Sequence, residues 1–232
     1  MAQIFHPSIN TIAKASIFGA IFIAAAAGGL WWEFIRSPYI TQQYVPRAQP
    51  VQFSHEHHVA GLGIDCRYCH TSVEKSGFAG IPPTKTCMTC HSQIWTNAAL
   101  LQPVRDSWKS GQPLKWTRVH DVADFAHFPH DIHINRGVGC ASCHGQVNEM
   151  PLMWKTKSLQ MEWCLSCHRN PAEHLRDKLV ENPETKEKTV NRDVAFDMNW
   201  HPQVDQTKRG KELMEKYKIN TYQLTNCSVC HY

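Results

Sequence analysis

All ten cysteines of this chain fall in one five-residue word, C-x-x-C-H, written five times: Cys66 to His70, Cys87 to His91, Cys140 to His144, Cys164 to His168 and Cys227 to His231. Two thiols three positions apart, followed at once by an imidazole, suit covalent haem attachment. The thiolates add to the two vinyl groups of one haem and the adjoining histidine ligates its iron. A structural zinc takes four ligands from separated pairs and has no need of a histidine after every second cysteine. A disulfide scaffold has no reason to keep that spacing either. The sequence therefore predicts five covalently attached haem c groups, held through Cys66 and Cys69, Cys87 and Cys90, Cys140 and Cys143, Cys164 and Cys167, and Cys227 and Cys230. His70, His91, His144, His168 and His231 are the expected proximal ligands.

A second word supplies candidates for the opposite face of each iron. Phe53-Ser54-His55-Glu56-His57-His58 precedes the first attachment site and Phe128-Pro129-His130-Asp131-Ile132-His133 precedes the third, so F-x-H-x-x-H recurs with a shift of 75 residues. The attachment sites that follow keep nearly the same step, 74 residues from Cys66 to Cys140 and 77 from Cys87 to Cys164. Two dihaem modules, about 51–110 and 126–171, with a fifth site at the C-terminus, are the simplest account of the duplication. Histidines three apart on a helical turn leave it in neighbouring directions, so one can serve the haem of its own module and the other an adjacent one. His57 has no counterpart in the second copy, where Ile132 stands, and is read as structural.

Four repeated histidines leave one iron without a distal ligand. Candidates outside the duplication are His120, His127, His174, His201, Met150 and Met161. Met150 is preferred, because it follows the third site by six residues and precedes the fourth by fourteen, so its loop must pass close to both. A thioether there would raise that haem's potential relative to histidine-ligated neighbours.

The elements that must position these residues are short. The soluble part lacks the aliphatic residues for a large core, so the expected fold is mainly α with much irregular structure, built around the cofactors. Helices are expected over Asn97–Ser110, Ala172–Val180 and Gln206–Ile219, and a polar loop over Glu181–Arg192. The formal charge of +4 gives no nucleic-acid partner. Ten ionised propionates would bring the loaded protein to roughly −6 when ferrous and about −1 when ferric.

Ala15 to Trp32 is an uncharged run of eighteen residues between Lys14 and Glu33, long enough to cross a hydrocarbon layer as a helix, with Trp31 and Trp32 at an interface. Ala24 to Ala27 would suit a signal peptidase, but a retained anchor over 1–36 is the expectation, followed by a proline-bearing linker over 37–50 and the haem domain over 51–232. Haem is attached outside the bacterial cytoplasmic membrane, so the expected topology is a single pass with the N-terminus cytoplasmic and the haem domain periplasmic.

The F-x-H-x-x-H word ahead of a C-x-x-C-H resembles that of the small tetrahaem class III and trihaem cytochromes. By that resemblance His55 is the distal ligand of the haem at Cys66, His130 that of the haem at Cys140, and His58 and His133 each serve another haem. The anchor, the five sites, and the stretches Leu159-Gln160-Met161-Glu162-Trp163-Cys164-Leu165-Ser166-Cys167-His168-Arg169 and Asn226-Cys227-Ser228-Val229-Cys230-His231 together resemble the ActA family, the pentahaem cytochrome c subunits of alternative complex III. That resemblance implies an electron-transfer subunit, not an enzyme by itself, inside a membrane quinol-oxidising complex. Its implied partners are an iron–sulfur subunit, a monohaem cytochrome c leading to a terminal oxidase, and integral membrane quinol-binding subunits. The alternative is a stand-alone membrane-anchored multihaem quinol dehydrogenase feeding a periplasmic reductase. A catalytic multihaem enzyme would need an open iron, and no site here lacks its proximal histidine.

Overall fold

In the computed structural model, which describes residues 4–181, 188–202 and 204–232, the apolar N-terminal run forms helix α1, Ser8–Arg36. Its 29 residues extend about 43 Å at 1.5 Å per residue, more than the ~30 Å hydrocarbon layer requires. None of them is buried, as befits a helix apolar on every side. Near its end the Arg36 guanidinium lies 3.2 Å from the Trp32 ring centroid. Ser37 leaves the helix in extended backbone, and Pro38 opens the single turn α2, Pro38–Thr41, where a missing N–H costs nothing. The chain divides into two compact units, Met1–Gln43, which holds α1 and α2, and Tyr44–Tyr232, which holds all the attachment sites.

The second unit is mainly helical, in short pieces. A π-helical turn, Glu56–Gly61, is followed by α3 (Cys66–Cys69), α4 (Thr84–His91), α5 (Gln102–Ser110), α6 (His130–Asn135), α7 (Cys140–His144), α8 (Met161–Arg169), α9 (Gln206–Lys216) and α10 (Thr221–Leu224). Polar caps start several of them: Asp65 accepts from the Arg67 N–H, Asp205 from Lys208 and Asn220 from Tyr222. The residues after α2 run extended, with the Tyr44 N–H donating to the Lys155 carbonyl and Gln49 making two hydrogen bonds of 2.9 Å to the Thr117 backbone.

Three expectations differ from the structure. Ala172–Val180 is not a helix: Pro171–Glu173 makes one 3₁₀ turn, and Lys178–Glu181 becomes strand β1, antiparallel to β2, Lys188–Asn191, with Leu179 opposite Val190. The β-branched residues Val180, Thr189 and Val190 favour that extended pairing over a helix. Of the polar loop expected over Glu181–Arg192, the flanks are thus strand, and 182–187 lie outside the described residues. The helix expected from Asn97 starts later, as a 3₁₀ turn at Ala99–Leu101 running into α5.

The aliphatic core is thin. It consists chiefly of two small clusters, Val51, Leu101 and Val104 beside Cys87 and Met88, and Val73, Ile134 and Ala195 beside Cys140. Helix α9 packs on the 171–173 turn so closely that a Cβ at Gly210 would run into the Ala172 carbonyl. There glycine is required by contact, not by backbone conformation.

Candidate functional site

Each C-x-x-C pair sits on a helical turn: α3, the ends of α4, α7 and α8, or the 3₁₀ turn Cys227–Val229. Three positions on a helix return to the same face, so both sulfurs of a pair are offered to one side. The following histidines are then held by one ring nitrogen. Nδ1 of His70 lies 2.7 Å from the Gly80 carbonyl, that of His168 2.8 Å from Leu224, that of His231 2.8 Å from Phe125 and that of His91 3.3 Å from Ile94. Gly80 presents its carbonyl from a φ of 84°, which glycine adopts without strain. A donor role for Nδ1 fixes the tautomer that leaves Nε2 as a bare lone pair, the form a metal takes. His144 is held differently, its ring meeting His120 edge-on at 4.2 Å between centroids.

The two F-x-H-x-x-H segments adopt the same local geometry. Phe53 meets His55 edge-on at 4.9 Å and stacks on His58 at 4.4 Å; Phe128 meets His130 edge-on at 4.9 Å and stacks on His133 at 4.3 Å. In both copies the second histidine holds Nδ1 2.8 Å from the carbonyl four residues back, Ser54 or Pro129. His130 also has Nδ1 2.9 Å from the Gly77 carbonyl.

These rings face the proximal ones. Ring centroids are 6.2 Å apart for His58 and His91, 6.2 Å for His133 and His168, and 6.3 Å for His130 and His144. Two imidazoles on opposite sides of one metal, each bonded at about 2 Å through a ring nitrogen, hold their centroids about 6 Å apart. The fourth repeated histidine, His55, feels the charge of His70. Its Nδ1 is buried without a partner, and burial, with His70 next, pushes it down to about 4. Among the described residues no three His, Cys, Asp or Glu side chains gather as a bare metal ion would need. Opposed pairs flanking cysteine-bearing turns fit a planar group with two axial positions, and apolar side chains around the turns, such as Trp95 at 61% exposure, offer it surface to cover.

The profile of the class III cytochrome c family matches residues 34–110. The multihaem cytochrome c subunit of menaquinone reductase from Nitratidesulfovibrio vulgaris is 31% identical over 173 residues, 74% of this chain and 71% of that protein. This chain belongs to the class III multihaem cytochrome c family.

Membership implies covalently bound haem c, and the electrostatics of this cytochrome suit it. Burial keeps His58 and His133 below the usual histidine range and holds His144 well below it, which preserves the neutral, ligating imidazole. Burial also raises the thiols, those of Cys140 and Cys143 up to about 12. Behind burial, the next influence on Cys69 is Cys87, on Cys140 is Cys66, on Cys143 is Cys167 and on Cys164 is Cys230, so the attachment turns of the cytochrome are neighbours.

The candidates for the fifth distal position are spread out. Met150 is 2% exposed, and its carbonyl accepts from the Glu56 N–H at the first histidine segment. His231 is fixed by Phe125, so the hydrogen bonds of Met150 and His231 share no residue. Met161 is 65% exposed at the start of α8, His174 is half-buried, His201 is exposed, and His127 stacks on Tyr232 at 4.3 Å. His57 stacks on Trp95 at 6.0 Å. Sequence reasoning missed the His120 and His144 contact as a pair; only its chemistry-bearing residue type was visible.

Proposed function

We propose that this cytochrome is a pentahaem electron-relay subunit of a membrane quinone-linked respiratory complex, anchored by α1 with its haem domain on the periplasmic side. The observation that carries the reading is the set of three histidine pairs at 6.2–6.3 Å, each joining a repeated-segment histidine to a C-x-x-C-H histidine. Haem supplies one-electron chemistry when bound. The protein would hold each group by two cysteines and a C-x-x-C-H histidine, with four of those rings, all but His144, fixed through Nδ1, and would offer four of the groups a second imidazole. His55 pairs with His70, His58 with His91, His130 with His144 and His133 with His168; Met150 is the thioether proposed from the sequence for the remaining iron, at Cys227–His231, and His127, whose N–H donates to the Cys230 carbonyl, is its rival there. With both axial positions filled, the site passes electrons and leaves no place for a substrate, so the subunit is not an enzyme by itself.

The Leu159-to-Arg169 and Asn226-to-His231 words favour a complex of the alternative complex III kind, which takes electrons from quinol through an iron–sulfur subunit and passes them to a monohaem cytochrome c and a terminal oxidase. The name of the menaquinone reductase relative favours a second reading, in which electrons run through the haems towards a membrane quinone. Isolation from native membranes in mild detergent tests both: five haems per chain, co-purifying iron–sulfur and integral membrane subunits, and quinol-driven haem reduction are expected. Haem reduced only from a periplasmic donor selects the second reading, and a lone 26.5 kDa chain that oxidises quinol overturns both.

A further inference from the structure

We infer that the five attachment turns form one unbranched series, in the order second, first, third, fourth, fifth, so that exchange with partner proteins takes place at Cys87–His91 and Cys227–His231. The order differs from that of the sequence, and it rests on the haem-relay reading above.

Each link is a contact between named residues. Second and first sites are joined between their C-x-x-C turns, where the Tyr68 hydroxyl lies 2.8 Å from Thr89 Oγ1. First joins third through the loop after His70. Asn135 Nδ2 donates to the Glu74 carbonyl, the His130 N–H donates to Gly77, and Val73 packs with Ile134 beside Cys140. Third joins fourth through α6, which sets His130 opposite His144 and His133 opposite His168. Fourth joins fifth where His168 Nδ1 meets the carbonyl of Leu224, at the end of α10 and three residues before Cys227.

Exposure marks the ends independently. Among the ten cysteines only Cys90 and Cys227 are exposed, one in the second site and one in the fifth, while the others are half-buried. A half-buried interior with two open termini is the arrangement of a wire, whereas a cluster would open several sites. Each step moves one electron from a ferrous iron, which becomes ferric, to a ferric neighbour, which becomes ferrous. Tunnelling between partners needs only the two open ends.

The test counts redox neighbours in the full-length, haem-loaded chain by spectroelectrochemical titration. In a series, removing an end haem by C87A/C90A or C227A/C230A leaves four low-spin haems, one of which shifts its midpoint potential. Shifts in two or more remaining haems in either variant overturn the order. If a variant retains fewer than four haems, His58→Met replaces C87A/C90A and, keeping five haems, must displace one further potential besides that of the second site; two or more displaced overturn the order. Wild-type protein with fewer than five low-spin haems would instead sink the relay reading, so the two failures are distinguishable.

Discussion

The two histidine modules share a word and a local geometry, yet they sit in different surroundings. In the first, the segment is a π-helical turn with His57 and Trp95 stacked outside it, and the proximal His70 is held by a carbonyl. In the second, the segment is helix α6 with Ile134 buried, the thiols of Cys140 and Cys143 are the most strongly raised, and His144 leans on His120. The repeated residues fix the local geometry of the two histidines; the neighbours, which are not repeated, set how much water they see. With the proposed histidine pairs the axial ligands would be alike, so burial and second contacts are the levers left to separate the potentials.

Breaking a ligand pair gives the largest effect. His58→Ala and His133→Ala should each convert one haem to a high-spin, carbon monoxide-binding form, whereas the intact protein should show low-spin bands alone. Equal counts from both variants uphold the equivalence of the modules; two haems lost from either breaks it. Next comes the odd ligand. Met150→His should lower one midpoint by on the order of 0.1 V, a modest part of the ~0.8 V that axial ligands span, and remove any thioether-to-iron absorption. If His201→Ala turns a haem high-spin while Met150→His moves no potential, the fifth ligand is histidine.

The second module is braced from the C-terminal side, where Arg209 pairs with Asp177, a carboxylate only 7% exposed. Arg209→Ala should cost about 3 kcal/mol, because it strands a buried charge. Gly210→Ala beside it should cost about 1–3 kcal/mol by forcing α9 off the 171–173 turn. Thermal melts followed at the haem bands should show both losses, and no loss in either would remove the bracing role. The smallest expected effect is His120→Phe, which should move the potential of the third-site haem alone. A shift at the first-site haem instead would mean that His120 does not distinguish the modules.

Much of the site was legible as spacing. C-x-x-C-H specifies two sulfurs on one helical face and an imidazole beside them, because three residues make nearly one turn and no longer-range contact is needed. The duplicated F-x-H-x-x-H likewise carries its geometry locally, through one aromatic ring packed between two histidines and one bond to the carbonyl four back. The apolar run of α1 is read from length and composition for the same reason. Partner choice was not legible. His58 meeting His91 and His133 meeting His168 are pairings across 33 and 35 residues that no local rule encodes. Nor was β1 read in place of the helix expected at Ala172–Val180, because its partner strand at 188–191 lies beyond any local reading. The neighbour order of the attachment turns belongs to the tertiary structure too, since it depends on single contacts such as Tyr68 to Thr89 and His168 to Leu224. The sequence by itself determined that haem c is bound, because the C-x-x-C-H chemistry is written within one turn of helix. Which group stands beside which was decided by the fold, because only packing brings distant turns within reach of one another.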